Sequence, residues 1–350
     1  MNHQRQITIP TLVRIKPGAL DRMGIYAKRH EFHRVVVLAS DDLPEALSDR
    51  LKAALKSSGV EILQWQGITQ ASFEQAQALF AALPARVQAI IGLGGGKALD
   101  TAKYVAFLTR LPYLAVPTSL SNDGFCSPQS SLNLAGKKRS LPSGMPFGVV
   151  IDTEVTLKAP EPLWWSGVGD LVAKITAVKD WKLAFHARGL LVDDFAALLS
   201  DATVFQFMAR PVRDLEGESL LGNALMLNGI AMEVCGSSRP ASGSEHLISH
   251  ALDSFSAHPR LHGLQVGVAT YLMSRLQQQG TEMIASLFER TRFWDAFKAQ
   301  PLSHAEWVEA LRRTPSIKQD FYTILSEPGK VDEAIKLLSE DPLLKAVFTD

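Results

Sequence analysis

"VQAIIGLGGGKALDTAKYVAFLTR", residues 87–110, decides the architecture of the first half of the chain. It opens on a short apolar run of the kind that forms a strand buried on both faces. Three consecutive glycines follow, and then an apolar pattern at helical spacing. A strand that turns through glycine into a helix is one unit of a parallel α/β sheet. Two readings of the glycines stand. They form a bare strand-to-helix turn, or a loop whose amides approach a phosphate at a helix N-terminus. Three glycines cost more conformational entropy than a turn alone requires. The spacing is neither G-x-G-x-x-G nor a P-loop, because Lys97 follows the third glycine directly.

The same alternation extends on both sides. "RVVVLAS" (34–40), "VEILQW" (60–65) and "PYLAVPTSLS" (112–121) read as further strands, with helices through "LPEALSDRLKAALKSSG" and "QASFEQAQALFAAL". Apolar strands alternating with helices predict a parallel sheet covered on both faces. "SSLNLAGKKRSLPSG" has a glycine-centred turn and predicts a hairpin, and "FGVVID" one more strand. Beyond "KAPEPLWW" the pattern is helical to the end. The prolines of "APEP" place a boundary near 160, between an α/β domain over 1–160 and a helical domain over 161–350. Ligands of open α/β sheets lie beyond the carboxyl ends of the strands, the edge over which a second domain is expected to close.

Composition narrows the function classes. Of 350 residues 46% are apolar and 21% charged, which describes a globular chain rather than a disordered one. Lys plus Arg equals Asp plus Glu at 36 each, so no net field draws nucleic acid or an anionic membrane. The two cysteines, Cys126 and Cys235, make no disulfide framework and fit a reducing cytoplasm. The first residues lack a signal-peptide pattern, and "LLGNALMLNGIAMEVCG" is broken by Asn223, Asn228 and Glu233, which argues against membrane insertion.

Polar residues gather at the predicted strand ends. "VPTSLSNDGFCSP" offers hydroxyls to a nucleotide and Asp123 to a substrate hydroxyl, although a plain Asn-Asp-Gly turn has the same appearance. Asp41, in "LASDD", either binds an adenosine ribose or begins a helix. "RPASGSEHLISHALDSFSAHPRLHG" (239–263) holds four of the nine histidines. His246 and His250 share one helix face at i, i+4, and the H-E-x-x-H form is absent. Alone they read as ordinary helix histidines. With His262 they approach the three ligands of a catalytic metal, for which "WWSGVGDLVAKITAVKDW" supplies Asp170. Asp170 is also readable as a helix N-terminal carboxylate. Arg239 is a candidate partner for a substrate phosphate or one half of a surface ion pair.

"IIGLGGGKALDTAKY", "PTSLSNDGFCSP", "GVGDLVAKITAVKDWKLA", "SGSEHLISHALD" and "LHG" resemble, in this order, the motifs of sn-glycerol-1-phosphate dehydrogenases. These belong to the dehydroquinate synthase and metal-dependent alcohol dehydrogenase superfamily. The resemblance implies a dehydroquinate synthase-like fold, with an α/β dinucleotide-binding domain and an all-α metal-binding domain. It implies reversible reduction of dihydroxyacetone phosphate, a small phosphorylated three-carbon substrate, with NADH or NADPH. It further implies metal ligands at Asp170, His246 and His262, zinc being commonest and nickel or iron alternatives. His250 and Asp123 then match substrate positions, with Asp170 touching metal and substrate. Gly95, Gly96, Lys97, Asp100, Thr118, Ser119, Ser121 and Ser127 match cofactor contacts. Members are often homo-oligomers, and the product could feed phospholipid synthesis.

Neighbouring families stand as alternatives. A glycerol dehydrogenase-like polyol oxidoreductase shares the Asp-His-His set but needs no phosphate pocket. A dehydroquinate synthase-like cyclase carries Glu as first ligand and Asn where Gly243 stands here. A non-catalytic nucleotide-binding homologue has no chemical need for all three ligands.

Overall fold

The computed structural model describes residues 6–349. The chain divides into two compact units, each described separately. The first comprises the described residues through Leu120, together with Gly124–Ala159 and Asp214–Glu233. The second comprises Ser121–Asp123, Pro160–Arg213 and the residues from Val234 onward.

The first unit begins with β1 (Leu12–Lys16), α1 (Met23–Arg29), β2 (Arg34–Ser40), α2 (Glu45–Ser57), β3 (Glu61–Ile68) and α3 (Phe73–Ala81). It continues through β4 (Ala89–Gly94), α4 (Gly96–Thr109), β5 (Tyr113–Pro117), the hairpin β6 (Gln129–Leu134) and β7 (Lys137–Pro142), and β8 (Gly148–Asp152). A parallel sheet runs in the order β1-β8-β5-β4-β2-β3. β4, β5 and β8 are buried throughout, as continuous apolar runs covered on both faces must be. The hairpin is antiparallel and forms a sheet of its own. β1, "LVRIK", went unread above: charges alternate with its apolar residues, and it sits at the sheet edge paired only with β8.

After α5 (Thr153–Leu157) come α6 (Glu161–Val172), α7 (Lys174–Arg188), α8 (Asp194–Ala209), α9 (Leu215–Cys235), α10 (Ser244–Phe255) and α11 (His262–Leu276). Four more helices follow, Thr281–Arg290, His304–Ile317, Lys330–Glu340 and Pro342–Lys345. A two-residue parallel pair, Leu302–Ser303 with Phe348–Thr349, interrupts what was expected to be purely helical. Two consecutive blocks, 1–160 and 161–350, leave out two exchanges: Ser121–Asp123 belong to the second unit, and most of α9 belongs to the first. The reason for the latter is packing. Leu221, Ala224 and Leu225 are fully buried, and Gly222 lies against Ile15 of β1 and Ile151 of β8. Among the described residues no helix is long and apolar enough to cross a membrane.

Candidate metal centre and dinucleotide loop

The glycine loop has the geometry that a phosphate cradle needs. Gly94 ends β4 at φ +133°, and a Cβ there would overlap the Ser40 side chain, so only glycine fits. Gly95 caps α4 without a side-chain cap, and its amide donates to Ser40 Oγ at 3.1 Å. A Cβ on Gly95 or Gly96 would meet nothing among the described residues within 4 Å, which leaves the helix N-terminus open to an anion. Lys97 is exposed beside it. Asp41 is exposed just past the end of β2, the strand beside β4, next to Gly67. Thr118 and Ser119 follow β5, with the Thr118 amide donating to Gly94 O. Asp100 and Ser127 meet a buried lysine: Lys103 Nζ lies 3.3 Å from Asp100 Oδ1 and 3.4 Å from Ser127 Oγ.

The second unit assembles the acid and the imidazoles. Asp170 occupies the last turn of α6, not a helix start as its neighbours in sequence suggested. A Cβ on Gly169 would overlap the Gly263 carbonyl, and one on Gly263 the Ser166 carbonyl. Glycine at both positions therefore lets α6 and α11 touch backbone to backbone, and this carries Asp170 to His262, the first residue of α11. His246 comes from the first turn of α10.

Asp170 Oδ1 lies 3.4 Å from His246 Nε2 and 3.7 Å from His262 Nε2, and all three ligand atoms fall within 4.8 Å of one another. Ligands placed about 2.1 Å from a tetrahedral centre are roughly 3.4 Å apart. Asp170 is 1% exposed and its Oδ1 has no hydrogen-bond partner, a buried acceptor that a cation would satisfy. The three residues thus fit a divalent ion in number, chemistry and spacing. His250 is exposed and lies outside this trio, its ring centroid 6.0 Å from that of His262. His258 is exposed on the connecting loop.

Two residues that sequence reasoning passed over complete the centre. Lys174, wholly buried at the start of α7, sets Nζ 3.0 Å from Asp123 Oδ2 and 3.7 Å from Asp170 Oδ2. Neither Nζ nor Asp123 Oδ2 makes an aligned hydrogen bond, so charge holds the pair. The Asp123 amide donates to Asp170 Oδ2 at 3.0 Å. Burial would raise the Asp170 carboxyl, but Lys174 and the two imidazoles hold it well below the usual range. Burial and the Asp170 charge push Asp123 up, against the pull of Lys174. Burial disfavours the Lys174 cation, but the two carboxylates outweigh it and raise the amine. The signal was present in sequence: a lysine four residues after Asp170 in an apolar helix needs an anionic partner.

Glu245 is the other. It is fully buried, accepts from the Gly243 amide at 2.5 Å and from Thr176 Oγ1 at 2.8 Å, and meets His246 Nδ1 at 2.9 Å. A carboxylate on Nδ1 makes that nitrogen the donor and leaves Nε2 as the ligand atom. His262 Nδ1 meets a neutral partner instead, Ser249 Oγ at 3.1 Å. Glu245→Gln is therefore expected to weaken metal affinity about 10–100-fold while the chain stays folded. Competition against a chromophoric chelator measures this, and unchanged affinity would refute the role.

Arg239 is neither exposed nor in a surface ion pair. It is buried, donates from Nη1 to Tyr322 O at 2.7 Å and stacks 3.6 Å from the Phe321 ring centroid. A guanidinium engaged on its face and at one donor anchors the 321–322 segment.

Comparison with known proteins accords with this geometry. The family described as iron-containing alcohol dehydrogenase matches residues 14–160. A glycerol-1-phosphate dehydrogenase (NAD(P)+) of Aeropyrum pernix is 35% identical over 343 residues, covering 95% of this chain and 97% of that one. The protein of the same name from Methanothermobacter thermautotrophicus is 33% identical, covering 96% and 98%. Among solved structures, a glycerol dehydrogenase of Schizosaccharomyces pombe has the same fold, with a TM-score of 0.78 at 20% identity over 98% of this chain and 91% of that one. With identity at this level across nearly its full length, the chain belongs to the glycerol-1-phosphate dehydrogenase family of NAD(P)-dependent oxidoreductases.

Proposed function

We propose that the protein reduces dihydroxyacetone phosphate reversibly to sn-glycerol 1-phosphate with NADH or NADPH, using one divalent cation, zinc foremost, held by Asp170, His246 and His262. The observation that carries this reading is the convergence of three ligand atoms around the unbonded Asp170 Oδ1, in a chain 35% identical to a protein of that name. When bound, the cation supplies a Lewis acid for a carbonyl and the dinucleotide supplies a hydride.

The chain's own groups do the rest. The open α4 N-terminus at Gly95 and Gly96 receives the pyrophosphate, with Lys97 beside it. Thr118, Ser119 and Ser121 offer hydroxyls to the nucleotide, while Asp100 and Ser127 act from behind the loop by fixing Lys103. Asp41 accepts from the adenosine ribose and disfavours a 2′-phosphate, so NADH is the better donor. Asp123, beside Lys174, accepts from a substrate hydroxyl, and the exposed His250 imidazole delivers the proton that the reduced oxygen takes up. The α/β unit carries the dinucleotide and the helical unit carries metal and substrate. Two cysteines that form no disulfide suit work in the cytoplasm.

NADH oxidation with dihydroxyacetone phosphate, dihydroxyacetone and glyceraldehyde 3-phosphate, run side by side, tests the substrate. Dihydroxyacetone phosphate is expected to give the largest kcat/KM. Preference for unphosphorylated dihydroxyacetone would make the protein a polyol oxidoreductase instead, and absence of net NADH consumption would favour a cyclase.

A further inference from the structure

α8 leaves one face of apolar side chains in solvent. Its inner face is packed, with Val204 and Phe207 fully buried. Its outer face carries Phe195 (62% exposed), Leu198 (65%) and Phe205 (57%), with Ala202 and Ala209 exposed between and after them. Positions 195, 198, 202, 205 and 209 are spaced three and four apart, the seam by which one helix packs along another. Leu191, 84% exposed, extends the strip just before the helix. At ~200 Å² for a fully exposed side chain of this size, the four large residues present on the order of 500 Å² of apolar surface. That is the size of the largest apolar patch on a monomer, a patch that is often functional, and more than half of the roughly 800 Å² each partner covers in a stable interface.

We propose that this face is an interface between two copies of the chain, with the two α8 helices packed antiparallel about a two-fold axis. The seam complements itself in that arrangement. Phe195 of one copy meets Phe205 of the other, and Leu198 meets the small Ala202, each contact occurring twice, as an isologous interface requires. Charge argues for a protein partner over an anionic lipid surface. α8 reads "DFAALLSDATVFQFMA", with two aspartates and no lysine or arginine, whereas helices that lie on such membranes carry cations along their polar face.

Sedimentation of the full chain tests the proposal. Wild type is expected at no less than twice its 38.3 kDa chain mass, and Leu198→Glu or Phe205→Glu at half the wild-type mass with unchanged helical circular dichroism. In a Cys235→Ser background, Leu198→Cys combined with Ala202→Cys is expected to give a covalent dimer on mild oxidation, and Ala209→Cys alone to give none. A monomeric wild type, or glutamate variants that keep the wild-type mass, would overturn the interface. So would oxidation that links Ala209→Cys as readily as the pair. A monomer that floats with phosphatidylglycerol vesicles would assign the face to lipid and likewise overturn it.

Discussion

His246→Ala is expected to release the cation and to abolish turnover together. The substitution removes one of three ligands, and Asp170 and His262 alone hold a divalent ion poorly. In the metal-free protein, burial lowers the His246 pKa, but the neighbouring carboxylates of Asp170 and Glu245 outweigh it and raise the group to about 9. Below that pH a cation must displace a proton from His246, so wild-type affinity should climb as pH rises toward 9. Losing Lewis-acid polarisation costs several kcal/mol of the barrier, a fall of at least about a thousand-fold in rate. His250→Ala is the contrast, because His250 stands outside the ligand trio. It should retain full metal while kcat falls about 10²- to 10⁴-fold. Elemental analysis of desalted protein beside initial rates separates the two. A His246→Ala protein with full metal and wild-type rate, or equal metal loss in His250→Ala, would refute the ligand assignment.

Lys174→Met should damage the metal-free protein far more than the loaded one. Lys174 is wholly buried, and its ammonium balances Asp123 and Asp170, which the Asp123 amide contact holds close together. Removing one partner of a buried ionic cluster costs about 3–5 kcal/mol, because the charges left behind are neither solvated nor paired. A proton taken up by Asp123, the carboxylate already pushed up, relieves part of that. A divalent cation on Asp170 restores positive charge at the same place and so recovers more stability in the variant than in wild type. Thermal melts after chelation and again with zinc added measure both terms. Coincident melting of variant and wild type in chelator would refute the charge-balancing role.

The fold was legible where one local signal decided it. Buried strands such as "AIIGLG" and "GVVID" have no competing reading, and the glycine turn announced the helix after it. β1 was missed because an edge strand needs apolar residues on one side only, and its charges hid the alternation. The assignment of α9 to the first unit depends on long-range packing against β1 and β8, which spacing along the chain does not encode. At the metal centre, His246, His262 and Asp170 were named from sequence, but their convergence follows from the Gly169–Gly263 contact of α6 with α11, a tertiary fact. Lys174 and Glu245 were visible as charges in apolar helices, and a stricter demand that every buried charge have a partner would have singled them out. Arg239 shows a further limit of spacing, since the contacts it makes, with Phe321 and Tyr322, lie far along the chain.

The most direct measurement is the rate of NADH oxidation with dihydroxyacetone phosphate before chelation, after it, and after zinc is returned. The metal-centred reduction predicts a rate that disappears with the metal and recovers when one equivalent is restored. A rate that survives complete removal of metal would contradict it.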